Sequence, residues 1–195
     1  MQNVKYSIVI PTYNHLEDCL KPCIESIIRY TDLSNVEVIV VANGCTDGTR
    51  QYVESLGEHF RLIWADAPLG YIKPTNMGIR EAKGEYVVLL NNDVILCEQP
   101  KNLWLFMLES PFIKDPKTGI TGPYKDILFY WESGRINFRN EFIAFFCAMF
   151  KRSIISLVGL LDEDFGLGYE EDVEFCTRIT KAGFKVVEVP DDMHY

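Results

Sequence analysis

The stretch Tyr86–Asp93, which reads YVVLLNND, decides the fold. Five apolar or aromatic residues run directly into two asparagines and an aspartate. A run this short and β-prone predicts a buried parallel strand, with the polar residues at its carboxyl end. Ligands bind just outside such strand ends in open α/β sheets. Asp93 offers hard oxygen ligands at that place, where Mg²⁺ or Mn²⁺ would in turn hold a diphosphate. The alternative interpretation is a strand followed by an Asx turn.

Length and composition predict one globular domain. The chain has 195 residues, of which 48% are hydrophobic and 24% charged. This suits a single domain with a proper core, and no repeated or Ser/Gly/Pro-rich segment indicates disorder. The formal net charge of −9 argues against a nucleic-acid partner, because phosphate backbones select basic surfaces. An anionic ligand would therefore need a metal ion or local backbone N–H groups.

The apolar segments predict no signal peptide and no transmembrane segment, and the cysteines predict free thiols. The longest apolar run, FIAFFCAMF at Phe142–Phe150, is far shorter than the roughly 20 residues of a membrane helix, and we predict a buried strand there. Cys19 and Cys23 lie one helical turn apart, a spacing that suits half of a metal site. No second half-site follows, so we expect buried or half-buried free thiols in a reducing cytosol.

Strands and helices alternate along the first half of the chain. We predict strands at Tyr6–Pro11, Val36–Val41 and Arg61–Trp64 before the central one. We predict helices at Leu16–Tyr30, Thr49–Leu56 and Asn76–Ala82. Short connections and strands apolar on both faces are typical of a mostly parallel sheet with helices on both faces. The first turn lacks G-x-G-x-x-G, so the prediction is a Rossmann-like sheet without a dinucleotide fingerprint.

The pattern is weaker after residue 97. The predicted elements are a helix at Asn102–Leu108, a strand or turn at Ile120–Pro123, the strand Phe142–Phe150, short helix Ile154–Val158, a helix from about Glu171 to Gly183, and a last strand Phe184–Val189. The aromatic segment Asp126–Arg139 favours no assignment.

Five motifs, in order, resemble those of the family 2 glycosyltransferases, which have the GT-A fold. They are SIVIPTYN at 7–14, VVANGCTDGT at 40–49, NMGIREAKGEYVVLLNND at 76–93, CAMFKRS at 147–153 and GYEEDVEFCTR at 168–178, followed by His194. The resemblance covers nearly the whole chain. It implies one catalytic domain over 1–195, with a nucleotide-binding half at 1–97 and an acceptor and catalytic half at 98–195.

The resemblance also implies an activity and a setting. The activity is inverting transfer of a sugar from a nucleotide-diphospho-sugar, most simply a UDP- or dTDP-sugar, to a hydroxyl of a saccharide or lipid-linked acceptor. The setting is surface polysaccharide or glycolipid assembly, in the cytoplasm or at the inner face of the membrane. Relatives continue beyond the position of His194, so we expect a catalytic core cut from a longer protein.

For the nucleotide, the resemblance implies contacts from the first two turns. Around the base it places Pro11, Thr12, Tyr13 and Asn14, with Tyr13 as an aromatic wall. Asn43 and Asp47 follow on the second turn, where Asp47 either meets the base or ribose or caps the next helix. The family's usual aspartate in that turn is replaced by Ala42, which leaves the identity of the base open.

For the pyrophosphate and metal, the resemblance implies a second group of residues. Lys73, Asn76 and Arg80 suit the pyrophosphate, although Arg80 equally suits a solvated helix surface. Asn91-Asn92-Asp93 corresponds to the family's D-x-D motif, with Asn91 and Asn92 beside the donor. Asp93 is then a ligand of Mn²⁺ or Mg²⁺, and His194 is its expected partner ligand.

Asp172 is the expected catalytic base, which would deprotonate the acceptor hydroxyl as it attacks the anomeric carbon. In a first helical turn the helix dipole lowers its pKa. Crowding by Glu170, Glu171 and Glu174 raises it, and the sequence leaves this balance open. We also predict an i,i+4 contact between Arg178 and Glu174.

Two rival functions remain open at this stage. Ala42 and the single acid of the Asn91-Asn92-Asp93 motif suit a catalytically inert nucleotide-sugar-binding domain. A sugar nucleotidyltransferase uses a similar sheet but needs a glycine-rich first loop, and residues 7–14 contain no glycine.

Overall fold

The computed structural model describes residues 4–132, 135–165 and 170–189. Within them the strands are β1 (Tyr6–Thr12), β2 (Val36–Asn43), β3 (Phe60–Ala65), β4 (Tyr86–Leu90), β5 (Thr118–Gly122), β6 (Lys125–Glu132), β7 (Arg135–Ile143), β8 (Cys147–Lys151) and β9 (Lys185–Glu188). The α-helices are α1 (Lys21–Tyr30), α2 (Thr49–Glu54), α3 (Ile72–Glu81), α4 (Leu103–Lys114), α5 (Ile155–Val158) and α6 (Glu171–Lys181). A π-helical turn at Leu16–Leu20 leads into α1.

Seven of the described strands form one sheet in the order β3-β2-β1-β4-β8-β5-β9. All of them run in the same direction except β8, which is antiparallel to both β4 and β5. The strands β6 and β7 form a separate antiparallel pair. The mostly parallel, Rossmann-like sheet is therefore confirmed, and its strand order reverses between β1 and β4.

Apolar side chains fill both faces of the sheet. One face packs under α1, α2 and α4, where Ile24 and Trp104 are buried. The opposite face packs under α3 and α6, where Ile79 and Phe175 are buried. Each such large side chain contributes roughly 1.5–3 kcal/mol by leaving water. The prediction of helices on both faces is confirmed. Among the described residues, no helix has both the length and the apolar character needed to cross a membrane.

The predicted strand Phe142–Phe150 is wrong, because two strands and a turn occupy it. β7 ends at Ile143 and β8 begins at Cys147. Phe145, in the turn between them, is buried and packs edge-on against Phe175 of α6, with ring centroids 5.9 Å apart. A turn covered by a helix stays apolar, so it carries none of the polar residues that normally mark a turn in the sequence.

The predicted helix boundaries shift at two prolines. α3 begins at Ile72 rather than Asn76, because Pro74 lies in the first turn, where its missing N–H leaves no hydrogen bond unmade. The predicted helix Leu16–Tyr30 is divided into two parts. Pro22 lacks the N–H that would continue an α-helical ladder back to Asp18, and the preceding turn is π-helical, with Leu20 N–H donating to the His15 carbonyl at 3.1 Å.

Candidate functional site

A cleft of about 660 Å³ opens at the carboxyl ends of β1, β2 and β4. It lies where the strand order reverses, the place at which open α/β sheets bind ligands. The lining residues are Pro11, Thr12, Tyr13, His15, Asp18, Cys19, Asn43, Pro68, Gly70, Tyr71, Asn92 and Asp93. Six of these are site residues predicted from the sequence: Pro11, Thr12, Tyr13, Asn43, Asn92 and Asp93.

The tips of β1 and β4 are joined across the cleft. Asn92 Nδ2 donates to Thr12 Oγ1 at 2.9 Å. Tyr13 extends beside them with 51% of its surface exposed, so an aromatic face is open to a ligand. Thr12, Tyr13 and Asn92 therefore meet at one place, as predicted.

Asp93 is an exposed residue of the cleft. In the described part of the chain, no hydrogen bond or ion pair engages its carboxylate, so both oxygens are available. An exposed carboxylate at the end of a parallel strand fits a hard divalent cation. The other predicted metal ligand, His194, lies outside the described residues.

Asn14 and Asn43 hold the loops that shape the cleft. Asn14 has a left-handed backbone, with φ 54°, and its Oδ1 accepts from Thr46 N–H at 2.8 Å. Asn43 Nδ2 donates to the Gly70 carbonyl at 2.7 Å, and its Oδ1 accepts from Leu69 N–H at 2.7 Å. The side chain of Asn43 thus positions the 68–70 wall of the cleft, while Asn14 joins the first two turns.

Asp47 is engaged on both carboxylate oxygens. Oδ1 accepts from Thr49 N–H at 3.1 Å and from Thr49 Oγ1, and Oδ2 accepts from Leu16 N–H at 3.1 Å. Burial opposes ionisation, but these hydrogen bonds prevail and lower the pKa of Asp47. This geometry favours the helix-capping alternative over direct contact with the base.

Gly44 allows the second turn to pack against the wall of the cleft. Its φ is +71°, and a Cβ built there would lie 2.5 Å from the Pro68 backbone nitrogen. We expect Gly44→Ala to lower the free energy of unfolding by about 2–4 kcal/mol, from left-handed strain and overpacking together. Gly57→Ala is the matched control, because its φ is +93° but nothing lies within 4 Å. Urea denaturation should show a smaller loss of about 1 kcal/mol for the control; equal losses would contradict the packing argument.

Lys73, Asn76 and Arg80 do not line the cleft. Asn76 is fully buried. Its Oδ1 accepts from Leu161 N–H at 3.0 Å, and its Nδ2 donates to the Leu161 carbonyl at 2.9 Å. Arg80 Nη2 lies 3.3 Å from Glu163 Oε1. Lys73 is exposed at the start of α3. Asn76 and Arg80 therefore anchor the segment around Leu161. The pyrophosphate role of Lys73, Asn76 and Arg80 stays a prediction, and the described lining of the cleft does not include them.

Asn91 lies behind the cleft rather than in it. Its backbone N–H donates to the Phe146 carbonyl at 2.9 Å. Its Oδ1 is buried without a hydrogen-bond partner among the described residues. An unpaired buried amide oxygen is costly to the folded state.

Asp172 is the second residue of α6 and is half-buried. Burial raises its pKa to about 6, and the negative charges of Glu171 and Glu170 add to this rise. A hydrogen bond from Val173 N–H at 2.8 Å opposes it. The balance that the sequence left open is thus decided by burial.

The predicted contact between Arg178 and Glu174 on the same helix is confirmed, since Arg178 Nε and Nη2 each donate to Glu174 at 2.6 Å.

Tyr71 connects the cleft with α6. It lines the cleft, and its hydroxyl donates to the Phe145 carbonyl at 3.4 Å. Its pKa is raised by burial and by the neighbouring negative charges of Glu171 and Asp172. The negative charges of Glu171 and Asp172 therefore act on a residue that lines the cleft.

Sequence reasoning missed two parts of the lining. The first is Pro68, Gly70 and Tyr71, on the loop that follows β3; a Pro and Gly at the end of a predicted parallel strand were the available signal. The second is His15, Asp18 and Cys19, on the π-helical turn.

All six cysteines are free, as expected, but Cys97 is exposed rather than buried.

Comparison with known proteins gives relatives that transfer sugars. The family described as "Glycosyl transferase family 2" matches residues 7–158. Glycosyltransferase GlyG of Streptococcus pneumoniae is 33% identical over 95 residues, which are 47% of this chain and 31% of GlyG. This chain therefore spans less than a third of the length of that relative.

Two solved structures share the fold. GalNAc-T7 with UDP, GalNAc and Mn²⁺ superposes with a TM-score of 0.77 at 17% identity, over 96% of this chain and 43% of that one. Mannosyltransferase PcManGT of Pyrobaculum calidifontis, in complex with GDP-Man and Mn²⁺, gives 0.68 at 20% identity, over 96% and 55%. The fold is thus the GT-A fold of such enzymes. The family match runs from β1 through α5 and covers more than half of this chain. The chain therefore belongs to glycosyl transferase family 2.

Proposed function

We propose that this chain is the catalytic domain of an inverting glycosyltransferase, which moves a sugar from a nucleotide-diphospho-sugar to an acceptor hydroxyl. The observation that carries the proposal is the cleft at the β1/β4 reversal, where an exposed aromatic ring and a free carboxylate face the same space. A UDP- or dTDP-sugar is the proposed donor, and a saccharide or lipid-linked hydroxyl the proposed acceptor. Family membership and the Mn²⁺ complexes of structural neighbours support this proposal.

In the proposed complex, Tyr13 stacks on the base, and Thr12 and Asn92 hold the neighbouring part of the donor. Asp93 would bind Mn²⁺ or Mg²⁺ through its carboxylate. When bound, such an ion neutralises the charge that develops on the departing nucleoside diphosphate. Asp93 would then lie at the leaving-group end of the bound donor.

Asp172 would accept the proton of the acceptor hydroxyl. A carboxylate with a pKa near 6 is ionised at neutral pH and is a stronger base than an ordinary aspartate. The hydroxyl oxygen attacks the anomeric carbon as the bond to the diphosphate breaks. This single displacement inverts the anomeric configuration, and the reaction needs only one base, on the acceptor side. The effect of its charge on Tyr71, which lines the cleft, supports this role.

Donor turnover tests the proposal. The full chain is incubated with Mn²⁺ and a panel of UDP-, dTDP- and GDP-sugars, and release of nucleoside diphosphate is measured with and without simple saccharide acceptors. We expect release with one class of donor, and a product with the anomeric configuration opposite to that of the donor. Nucleotide binding without any release would instead favour the inert-domain alternative. Ala42, which is fully buried near the end of β2, still motivates that alternative.

Tyr13→Ala should weaken nucleotide binding selectively. Stacking of a base on an aromatic side chain contributes roughly 1–3 kcal/mol, so we expect affinity for the preferred nucleotide to fall by about one order of magnitude. Calorimetric titration of the nucleotide measures this. Phe106→Ala is the matched control, because Phe106 is an aromatic side chain of similar exposure, 57% against 51%, on α4 outside the cleft. Equal affinity in Tyr13→Ala and the parent chain would remove Tyr13 from the base site.

A further inference from the structure

A second group of metal-binding side chains lies in the wall of the same cleft, at the π-helical turn before α1. His15, Asp18 and Cys19 each offer one ligand atom, and these atoms all lie within 4.8 Å of one another. His15 Nδ1 and Asp18 Oδ2 are 2.9 Å apart. A tetrahedral zinc site, with Zn–N and Zn–S bonds of about 2.0 and 2.3 Å, needs ligand atoms roughly 3.3–3.8 Å apart. The 2.9 Å between His15 and Asp18 and the 4.8 Å upper limit for the set bracket that range.

The backbone brings these three residues together. His15 has a left-handed backbone, with φ 59°. Its carbonyl accepts both Cys19 N–H and Leu20 N–H at 3.1 Å, which fixes Cys19 one turn above His15. His15 and Asp18 have side chains that are 65% and 67% exposed, so an ion can reach them from solvent without displacing the core.

The local charge favours a cation. The carboxylate of Asp18 lies 2.9 Å from His15 Nδ1, and Asp93 lines the same cleft. Negative charges at this place attract a divalent ion, and the ion releases the protons of the imidazole and thiol groups that it binds.

The set of donor atoms selects the ion. Imidazole nitrogen, thiolate sulfur and one carboxylate oxygen suit zinc and similar borderline-soft ions, whereas the carboxylate of Asp93 suits hard ions. We propose that His15, Asp18 and Cys19 bind a zinc-type divalent cation at a site separate from Asp93. The inference does not depend on the proposed function, because it concerns ligands that the transfer reaction does not use.

Cobalt is the spectroscopic probe for this site. The metal-free full chain, reduced with a phosphine, is titrated with Co²⁺ in the absence of any nucleotide. We expect a near-ultraviolet thiolate-to-cobalt charge-transfer band that saturates at one Co²⁺ per chain and disappears when Zn²⁺ is added. The band reports a Cys–metal bond directly, so the result is independent of glycosyl transfer.

Variants assign the band to its ligands. Cys19→Ser should abolish it, while Cys97→Ser, at the other solvent-accessible cysteine, should retain it. His15→Asn keeps a residue that tolerates the left-handed backbone and should weaken Co²⁺ affinity by about tenfold or more. Asp93→Asn should leave the band unchanged. Absence of the band, its persistence in Cys19→Ser, or its loss in Asp93→Asn would each overturn the proposal.

Discussion

Replacing Asp172 by Asn is expected to lower kcat by about 10²–10⁴-fold, the usual contribution of a positioned general base. The substitution keeps the size of the side chain and its place at the start of α6 but removes the proton acceptor. Affinity for the donor nucleotide should stay within about twofold of the parent value, because Asp172 is outside the cleft lining. Steady-state kinetics and nucleotide titration measure the two effects separately.

Asp164→Asn is the matched control, since it is an exposed aspartate of the same acidic segment. It should leave kcat unchanged. If Asp172→Asn turned over donor and acceptor as fast as the parent chain, the assignment of the base would be wrong. A parallel loss of nucleotide affinity would indicate instead that Asp172 has a structural role.

The raised pKa of Asp172 predicts a pH dependence. kcat/KM should rise as the pH increases through about 6, where Asp172 ionises, and then level off. The effect on stability has the opposite sign. An acid whose pKa is raised by folding binds more protons in the folded state, so its contribution to the free energy of unfolding falls as pH rises from about 4 to about 6. A pH–rate profile of Asp172→Glu should keep the rising limb, whereas Asp172→Asn should lose it.

Replacing Asp93 by Asn is expected to remove metal-dependent binding of the donor. An amide has no charge to offset that of a divalent cation, and Asp93 is the acid of the cleft that no described group engages. Mn²⁺ affinity, read by electron paramagnetic resonance, should fall by at least about tenfold. Donor turnover at fixed Mn²⁺ should fall by about 10²-fold or more.

Glu98→Gln serves as the control for Asp93→Asn, because Glu98 is an exposed acid on the same loop after β4 and does not line the cleft. It should change neither Mn²⁺ affinity nor turnover. Unchanged Mn²⁺ affinity in Asp93→Asn would show that the ion is held elsewhere.

The strand pattern predicted the polar tip of β4, and the family resemblance added the residues that follow β1. Both strands are short apolar runs with polar tips, and parallel strands bring such tips to one edge of the sheet. Thr12, Tyr13, Asn92 and Asp93 accordingly line the same cleft.

Helix faces were harder to predict than strand ends. On α3, a Cβ at Gly78 would lie 2.3 Å from Val9 Cγ1, so that face rests directly on the sheet. Asn76 is then buried against the segment around Leu161, 85 residues away in sequence. A local pattern does not show which distant segment bonds to a buried amide, so the contacts of Asn76 and Arg80 with the segment around Leu161 were not predicted.

The loop wall of the cleft escaped prediction for a related reason. The 68–70 segment is positioned by Asn43, 27 residues before Gly70, and by the close approach of Gly44 to Pro68. Both contacts depend on how β2 and β3 align. The turn at 144–146 was missed because it is covered by α6 and therefore keeps the apolar composition of a strand.

Thermal unfolding in the presence of nucleotides tests the central claim, a metal-dependent donor site in the β1/β4 cleft, most directly. The chain is heated with UDP, dTDP, GDP, CMP or ADP, each with and without Mn²⁺. A ligand that binds the folded state raises the Tm by mass action. We predict a rise with one nucleoside diphosphate that requires Mn²⁺ and is lost in Asp93→Asn. A Tm that no nucleotide changes, with or without Mn²⁺, would contradict the claim.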